Sequence, residues 1–408
     1  MQARARVLFF AEAVTLAHVA RPIALAKGLD RDRFDVAIAC DSRYQRFLQG
    51  EAWQALPLQS VPAEEFLQAL AKGIPVYREE DLRRYVASDA DLIQSFKPDL
   101  IVGDFRLSLS VSARLAGIQY ATITNAYWSP YYAVEGFPLP ALPMTRFLPL
   151  GVARVAFNLA RPMAFALHCR PLNRIRRENG LPPLGNDLRR VYTDADHVLY
   201  ADAPEMFPTV DLPSNHEYLG PVLWSLPGVH PDWWGSLPSD RSIIYLTLGS
   251  SGRADILQMA LDALGDLPVT LLVSTAGAAM PQRRPPSAYV AAYLPGAAAT
   301  ARSSLVICNG GSLTCQQALA AGVPVLGIAS NMDQFLNMER IVATGSGLML
   351  RADRVTGEVI RAHAIRLLGA ANRIPERTLS SASIDATQAP RRFASFVERV
   401  SMKRQEER

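Results

Sequence analysis

The chain predicts an α/β protein of two doubly wound domains, each a parallel sheet covered by helices on both faces. Three features of its 408 residues carry that expectation. Short β-rich runs alternate with helix-period segments through both halves, as repeated β-helix-β units require. In the second half, two such runs end in glycine turns that open helices. Between the halves, Pro213 to Ser239 gathers Pro213, Pro221, Pro227, Pro231 and Pro238 with Trp224, Trp233 and Trp234, the composition of a connection. No tandem repeat of solenoid type interrupts this reading.

The elements follow in order. Arg6–Phe10 (RVLFF) is a first buried strand, Pro22–Leu29 a helix, and Phe34–Cys40 (FDVAIAC) a second strand. Pro98–Phe105 (PDLIVGDF), the helix SLSVSARLAG and the strand QYATIT continue the alternation. Residues 126–180 break it: AYWSPYYAVEGFPLPALP is rich in proline and aromatics, and a long arginine-bearing segment of helical periodicity follows. DHVLYAD, Asp196–Asp202, returns to a strand. After the proline-rich stretch come SIIYLTLGSSG, PVTLLVST, SAYVAAYLP, SSLVICNGG and VPVLGIAS, with helix patterns between them. Pro390–Arg408 closes the chain as an amphipathic, highly charged helix pattern. The expected division is an N-terminal domain over 1–212, a linker over 213–240, a C-terminal domain over 241–388, and a terminal helix over 389–408.

Composition narrows the function classes. A hydrophobic fraction of 49% and a charged fraction of 20% describe an ordinary globular chain. A net charge of +4, with arginine clusters that lack interleaved aromatics, argues against a nucleic-acid partner. Cys40, Cys169, Cys308 and Cys315 form no C-x-x-C pair and no zinc spacing, so they read as reduced thiols of a cytoplasmic protein without a bound metal. Val7–Phe10 is too short for the apolar region of a signal peptide, and Glu12 interrupts it. No 18-residue apolar stretch is free of charge, so a transmembrane helix is not expected.

The chemistry concentrates at strand ends. Gly249, Ser250, Ser251 and Gly252 follow a strand and precede a helix, where backbone N–H groups and the helix dipole favour an anionic oxygen. Asn309, Gly310, Gly311, Ser312 and Thr314 make a second such turn, whose glycines allow close backbone approach and whose hydroxyls can cap the helix or bond a phosphate. Two anion-friendly turns in one sheet suit a diphosphate better than a single carboxylate.

The run LVICNGGSLTCQQALAAGVPVLGIASNMDQFLN resembles the donor-binding signature of nucleotide-sugar glycosyltransferases of the two-domain GT-B fold, and most of all family 1. That pattern runs through Gly-Gly-x-Gly-Thr and Ala-x-x-x-Gly-x-Pro to Asp-Gln. The spacing holds here from Gly310 through Thr314, Gly322 and Pro324 to Asp333, Gln334 and Asn337. The Cys-x-x-Gly-x-Leu-Thr wording is also similar to the N-acetylglucosaminyltransferase that completes lipid II. The resemblance implies that Asp333 and Gln334 bond the donor sugar. It places the family's phosphate-contacting His on Asn309, an uncharged donor, and its ribose-binding Glu on Gln317. Tyr293 in Tyr-Leu-Pro falls where the family's loop lies under the nucleobase.

KPDLIVGDFRLSLSVSARLAGIQYATIT resembles the family's N-terminal signature, and TLAHVARPIALAKGL places His18 where the family carries its base. Pro22 lies four residues after His18 instead of the family's three. A sugar hydroxyl is a poor nucleophile and needs a base to take its proton as it attacks. A neutral imidazole backed by a carboxylate does this near neutral pH. The resemblance therefore implies His18 as base and Asp104 as its orienting carboxylate, on two strands expected to be neighbours. Tyr127, Trp128, Tyr131 and Phe137 are the candidates for an apolar acceptor side. Asp194-Ala195-Asp196 imitates a metal-binding Asp-x-Asp but directly precedes a strand, so it reads as a solvated turn.

The expectation is a bacterial, inverting, metal-independent hexosyltransferase using a UDP- or dTDP-sugar as co-substrate, with no further cofactor. Its acceptor is a small molecule or lipid, and peripheral membrane contact through Val152–Arg177 is the weaker reading. The rivals are a non-catalytic sugar-nucleotide-binding partner and a sugar-nucleotide epimerase on the same fold.

Overall fold

The computed structural model describes residues 4–226, 230–370 and 385–406. Its described residues fall into two compact units. The first draws on Met1–Glu135, Arg154–Val222 and Ala386–Arg408, the second on Gly136–Ala153 and Leu223–Asp385.

The first unit contains, in chain order, β1 (Ala5–Ala11), α1 (Ala17–Lys27), β2 (Phe34–Cys40), β3 (Gln54–Pro57), α2 (Ala63–Lys72), α3 (Glu79–Phe96), β4 (Leu100–Asp104), α4 (Leu109–Leu115) and β5 (Gln119–Thr124). Helix α5 (Leu150–Glu178) begins in the second unit's segment and runs on into this one, followed by α6 (Leu188–Tyr192), β6 (His197–Tyr200) and β7 (His216–Tyr218). The strands form one seven-stranded sheet in the order β3-β2-β1-β4-β5-β6-β7, with every pairing parallel. Strand β1 is apolar throughout its centre because both faces are covered: Val7, Leu8, Phe9 and Phe10 are all fully buried.

The second unit contains β8 (Ser242–Thr247), α7 (Ala254–Leu264), β9 (Val269–Ser274), β10 (Ala288–Ala291), α8 (Gly296–Ala301), β11 (Leu305–Cys308), α9 (Ser312–Ala320), β12 (Val325–Ala329), α10 (Met332–Ala343), β13 (Gly347–Arg351) and α11 (Gly357–Ala370). Its six strands are ordered β10-β9-β8-β11-β12-β13, again parallel. Leu246, Leu261, Leu271, Ile307 and Leu326 lie in one apolar cluster between the sheet and its helices.

Helix α12 (Gln388–Glu406) returns to the first unit. Phe393 and Phe396 are buried there, with the Phe393 ring 5.6 Å from Phe9. Gly28 ends α1 beneath it: a Cβ at that position would lie 2.7 Å from the Pro390 side chain, so only glycine lets the two helices approach.

The divisions differ from the expected ones. Of the stretch expected as a linker, 213–222 belongs to the first unit and carries β7, while 223–240 belongs to the second, with 227–229 outside the described residues. A three-residue edge strand is too short for alternation to reveal, and the nearby prolines suit a sheet edge as well as a connection. Gly136–Ala153, expected in the N-terminal domain, clusters with the second unit. There Arg351 donates to the carbonyls of Leu139 (2.7 Å) and Pro140 (3.0 Å). The expected end of the C-terminal domain, from 371 to 384, lies outside the described residues.

Candidate active site

In an open parallel sheet, the crevice forms where strand order reverses, at the carboxyl ends of the strands. The first sheet reverses at β1 and β4, which pair in register from Val7 opposite Leu100 to Ala11 opposite Asp104. His18 stands in the first turn of α1, just beyond β1, and Asp104 is the last residue of β4. The topology thus brings the two together: His18 Nδ1 lies 2.8 Å from Asp104 Oδ1. The Asp104 side chain is fully buried and the His18 side chain is 19% exposed. A carboxylate only accepts, so Nδ1 carries the shared hydrogen, and in the neutral imidazole Nε2 is then the acceptor.

Arg21 completes this arrangement. It forks onto the carboxylate, Nε to Oδ2 at 2.7 Å and Nη2 to Oδ1 at 2.7 Å, and reaches Asn125 Oδ1 with Nη1 at 2.9 Å. Burial alone would lower the Arg21 pKa, but Asp104 beside it carries it above the usual value. Its Nη2 also lies 3.0 Å from His18 Nδ1, which sets a fixed positive charge beside the ring. Asn125 is held in turn by Asp202, which accepts from Asn125 Nδ2 at 2.9 Å and from the Ala126 N–H at 2.6 Å.

Phe105 follows Asp104 with φ of +60°, a conformation a non-glycine residue rarely adopts. The turn places its ring against the imidazole, with centroids 4.8 Å apart and planes 17° apart. Below it, Arg106 is fully buried between Glu12 (2.8 Å) and Asp89 (2.9 Å), over the Tyr85 ring at 3.5 Å. Burial raises the pKa of both carboxyls, although Arg106 opposes that. The Glu12 N–H donates to the Asp104 carbonyl at 3.3 Å, so this ionic cluster fastens the β1 end to the β4 end.

The second sheet reverses at β8 and β11, and the two glycine turns follow those strands. Asn309, 8% exposed, joins them: its Nδ2 donates to Ser251 Oγ at 2.9 Å, and its Oδ1 accepts from the Gly311 N–H at 3.0 Å. The second bond closes an Asx turn, a geometry that Asn favours. Gly310 has φ of +83°, and a Cβ there would lie 2.6 Å from Met338 Cγ. Asn337 Nδ2 donates to the Gly310 carbonyl at 2.8 Å, fixing the turn from below. Gly249 has φ of +64°, and its missing Cβ leaves room for Asn309 Nδ2. Helix α9 starts at Gly311 without a side-chain cap, so its first N–H groups are left for another acceptor, whereas in the first turn of α7 the Asp255 carboxylate already accepts from the Asp255 and Ile256 N–H groups. Ser312 and Thr314, both half-buried, lie in the first turn of α9.

Other expected donor-side residues sit differently. Gln317 is buried, and its Nε2 donates to the Trp224 carbonyl at 2.5 Å, while Gly296 packs beside its Oε1. Its amide is thereby committed to the chain entering the second unit. Gln334 is buried too: its Oε1 accepts from Ser330 N–H (2.8 Å) and Oγ (2.9 Å) and closes a capping box with Asn331. Asp333 is half-buried in the first turn of α10. Ser250 is half-buried in its turn, and Tyr293 is half-buried beside Gly277, where a Cβ would meet its hydroxyl.

The acceptor-side candidates do not form one wall. Tyr127 is 1% exposed and packs against Phe207 at 5.2 Å, so it is a core residue and not a contact for an acceptor. An aromatic next to a strand end is as useful to the core as to a ligand, and the local pattern does not separate the two. Trp128 packs edge-on against Tyr192, which itself packs on Phe105, so it belongs to the wall beneath His18. Tyr131 packs edge-on against His216. Phe137 falls in the second unit's segment.

Arg21, Phe105 and Asn125 were not anticipated as site residues. The one-residue offset of Pro22 from the family spacing was the available signal, because it places Arg21 where that family carries proline. Asp194, read as a solvated turn residue, instead pairs with Arg114 (2.8 Å) and buried Arg176 (2.6 Å). Among the described residues no group of His, Cys, Asp and Glu is arranged to hold a metal ion.

Comparisons with known proteins agree with this architecture. A family model described as the C-terminal domain of erythromycin biosynthesis protein CIII-like proteins matches residues 258–389. A PGL/p-HBAD biosynthesis glycosyltransferase of Mycobacterium tuberculosis is 52% identical over 93% of this chain and 89% of its own length. A PGL/p-HBAD biosynthesis rhamnosyltransferase of Mycobacterium bovis is 52% identical over 90% of this chain and 81% of its own. Among solved structures, the glycotransferase of kitacinnamycin superposes with a TM-score of 0.69 at 18% identity, covering 98% of this chain and 100% of that one. The glycosyltransferase VinC, solved in complex with dTDP, gives 0.63 at 18% identity over 98% of this chain and 100% of its own.

Proposed function

The chain belongs to the family 1 glycosyltransferases of GT-B fold, and from that premise we propose that it transfers a hexose by inversion, with His18 as the base. The observation that carries the proposal is the His18–Asp104 pair at the point where the first sheet reverses. The acceptor hydroxyl gives its proton to His18 Nε2 as its oxygen attacks the anomeric carbon. The bond from that carbon to the diphosphate oxygen breaks on the opposite face, so one displacement inverts the configuration. Asp104 holds the ring and balances the imidazolium that forms. The departing diphosphate meets N–H groups at the start of α9, with Ser251, Ser312 and Thr314 beside them. These donors supply the stabilisation for which other enzymes use a metal ion, so the reaction proceeds without one. Asp333 binds the donor sugar, and Tyr293 lies under the base.

The named rhamnosyltransferase relative and the dTDP-bound neighbour favour a dTDP-activated 6-deoxyhexose as donor, with UDP-hexoses as the second choice. The acceptor is a small molecule or a lipid bearing a hydroxyl. The test is nucleotide release from a panel of UDP- and dTDP-sugars with candidate acceptors. His18→Ala is expected to slow release about 10²–10⁴-fold while keeping the thermal shift that the nucleotide produces. A variant turning over at the wild-type rate removes His18 from the mechanism. Absence of a thermal shift with every nucleotide removes the donor site. A non-catalytic binding partner would show the shift but no release, and an epimerase would convert the sugar without an acceptor.

A further inference from the structure

Helix α5 carries an apolar stripe that the folded chain leaves uncovered. Val155, Leu159, Met163 and Leu167 follow one another at four-residue steps, which keeps them on one side of a helix. They are 61%, 79%, 67% and 48% exposed. The other side of the same helix is spent on the core, where Cys169, Leu172 and Ile175 are buried with Tyr77, Tyr85 and Val111. Large apolar side chains in a continuous exposed row mark an interaction surface.

Charge says what that surface meets. Helix α5 has no acidic residue before Glu178, its last, and carries Arg154, Arg161 and Arg170 along its length, while Arg174 is paired with Glu79 (3.2 Å) and Glu178 (3.3 Å). A second copy meeting the same face would bring two sets of arginines together, which disfavours a symmetric dimer. The helix is long and apolar enough to cross a bilayer by length and composition. Arginines at 154 and 161 and the burial of its second half in the core fit a helix lying along a surface instead.

We propose that the Val155–Leu167 face of α5 docks this protein on an anionic lipid surface, with the apolar row entering the acyl boundary and the arginines meeting the headgroups. This holds whichever acceptor the enzyme uses, and does not depend on the assignment of His18.

The experiment is co-sedimentation of the full chain with phosphatidylglycerol vesicles and with phosphatidylcholine vesicles. Binding to the anionic vesicles is expected at least tenfold above the neutral ones, and 1 M salt should remove most of that preference by screening the arginines. The double variant Leu159→Glu, Met163→Glu should lose at least tenfold in binding while keeping the wild-type nucleotide thermal shift. The salt and lipid comparisons use the wild type, so they test the proposal even if the variant fails to fold. Equal binding to both vesicles, no binding to either, or a folded variant that binds like the wild type overturns the proposal. A wild-type dimer that the substitutions convert to a monomer, without vesicle binding, assigns the face to self-association and overturns it too.

Discussion

Arg21 changes what the His18–Asp104 pair can be expected to do. A guanidinium forked onto a buried carboxylate leaves Asp104 no freedom to rotate, and so holds His18 in one orientation. Arg21→Gln should therefore lower kcat while leaving the nucleotide thermal shift unchanged, a split that a merely structural residue would not produce. An unchanged kcat would assign Arg21 to packing alone. At the donor turn, Asn309→Ala removes the bridge to Ser251 and the Asx turn together. Each lost hydrogen bond is worth about 0.5–1.5 kcal/mol, so nucleotide affinity should fall by up to about 5- to 150-fold, read by calorimetric titration. His18 and Asp104 are legible in the chain because each follows or ends an apolar strand beside a family-like motif. Arg21 is not, because an arginine near a helix start reads as solvated until the neighbouring strand supplies Asp104. Asn309 looks from sequence like a weakened phosphate ligand. The structure shows instead that it ties two turns to each other.

Strands and their turns set the scale at which sequence reading succeeds or fails here. Alternation of apolar runs and helix patterns reveals β1, β4, β8 and β11, and with them both crevices, because buried parallel strands need uninterrupted apolar residues. It misses β7, three residues at a sheet edge. That strand carries its own test. His216 lies with Nδ1 2.7 Å from the Tyr200 hydroxyl, and burial lowers its pKa from 6.5 to about 4. The unfolded chain then binds more protons than the folded one between those values. This contribution to stability is complete above pH 6.5 and is lost as pH falls toward 4. Urea midpoints measured from pH 7 to pH 4.5 should decline less steeply in His216→Gln than in the wild type. Parallel slopes would show that His216 is not the group responsible. The glycine turn after β11 is equally specific: Gly310→Ala meets both a left-handed backbone and Met338. Strain of about 1–3 kcal/mol is expected, seen as a lowered melting temperature together with weaker nucleotide binding.

Across the whole molecule, the division into two doubly wound units is legible from composition, but the path of the chain between them is not. Residues 136–153 join the second unit and α12 rejoins the first, and both assignments depend on contacts between residues far apart in sequence. The terminal segment reads only as a charged amphipathic helix, whereas Phe393 and Phe396 are fully buried members of the first unit's core. Phe393→Ala should cost about 3–5 kcal/mol in urea unfolding of that unit, and a neutral result would show that α12 packs there without supporting it. The return of α12 also orders the protein's birth. Residues of the first unit emerge from the ribosome early, yet its core stays open at Phe9 until Phe393 arrives. Synthesis runs at about 5–20 residues per second, so the half that holds His18 waits roughly 10–30 s after Val222 for its last helix. The second unit has its whole sheet in hand before then and can finish first.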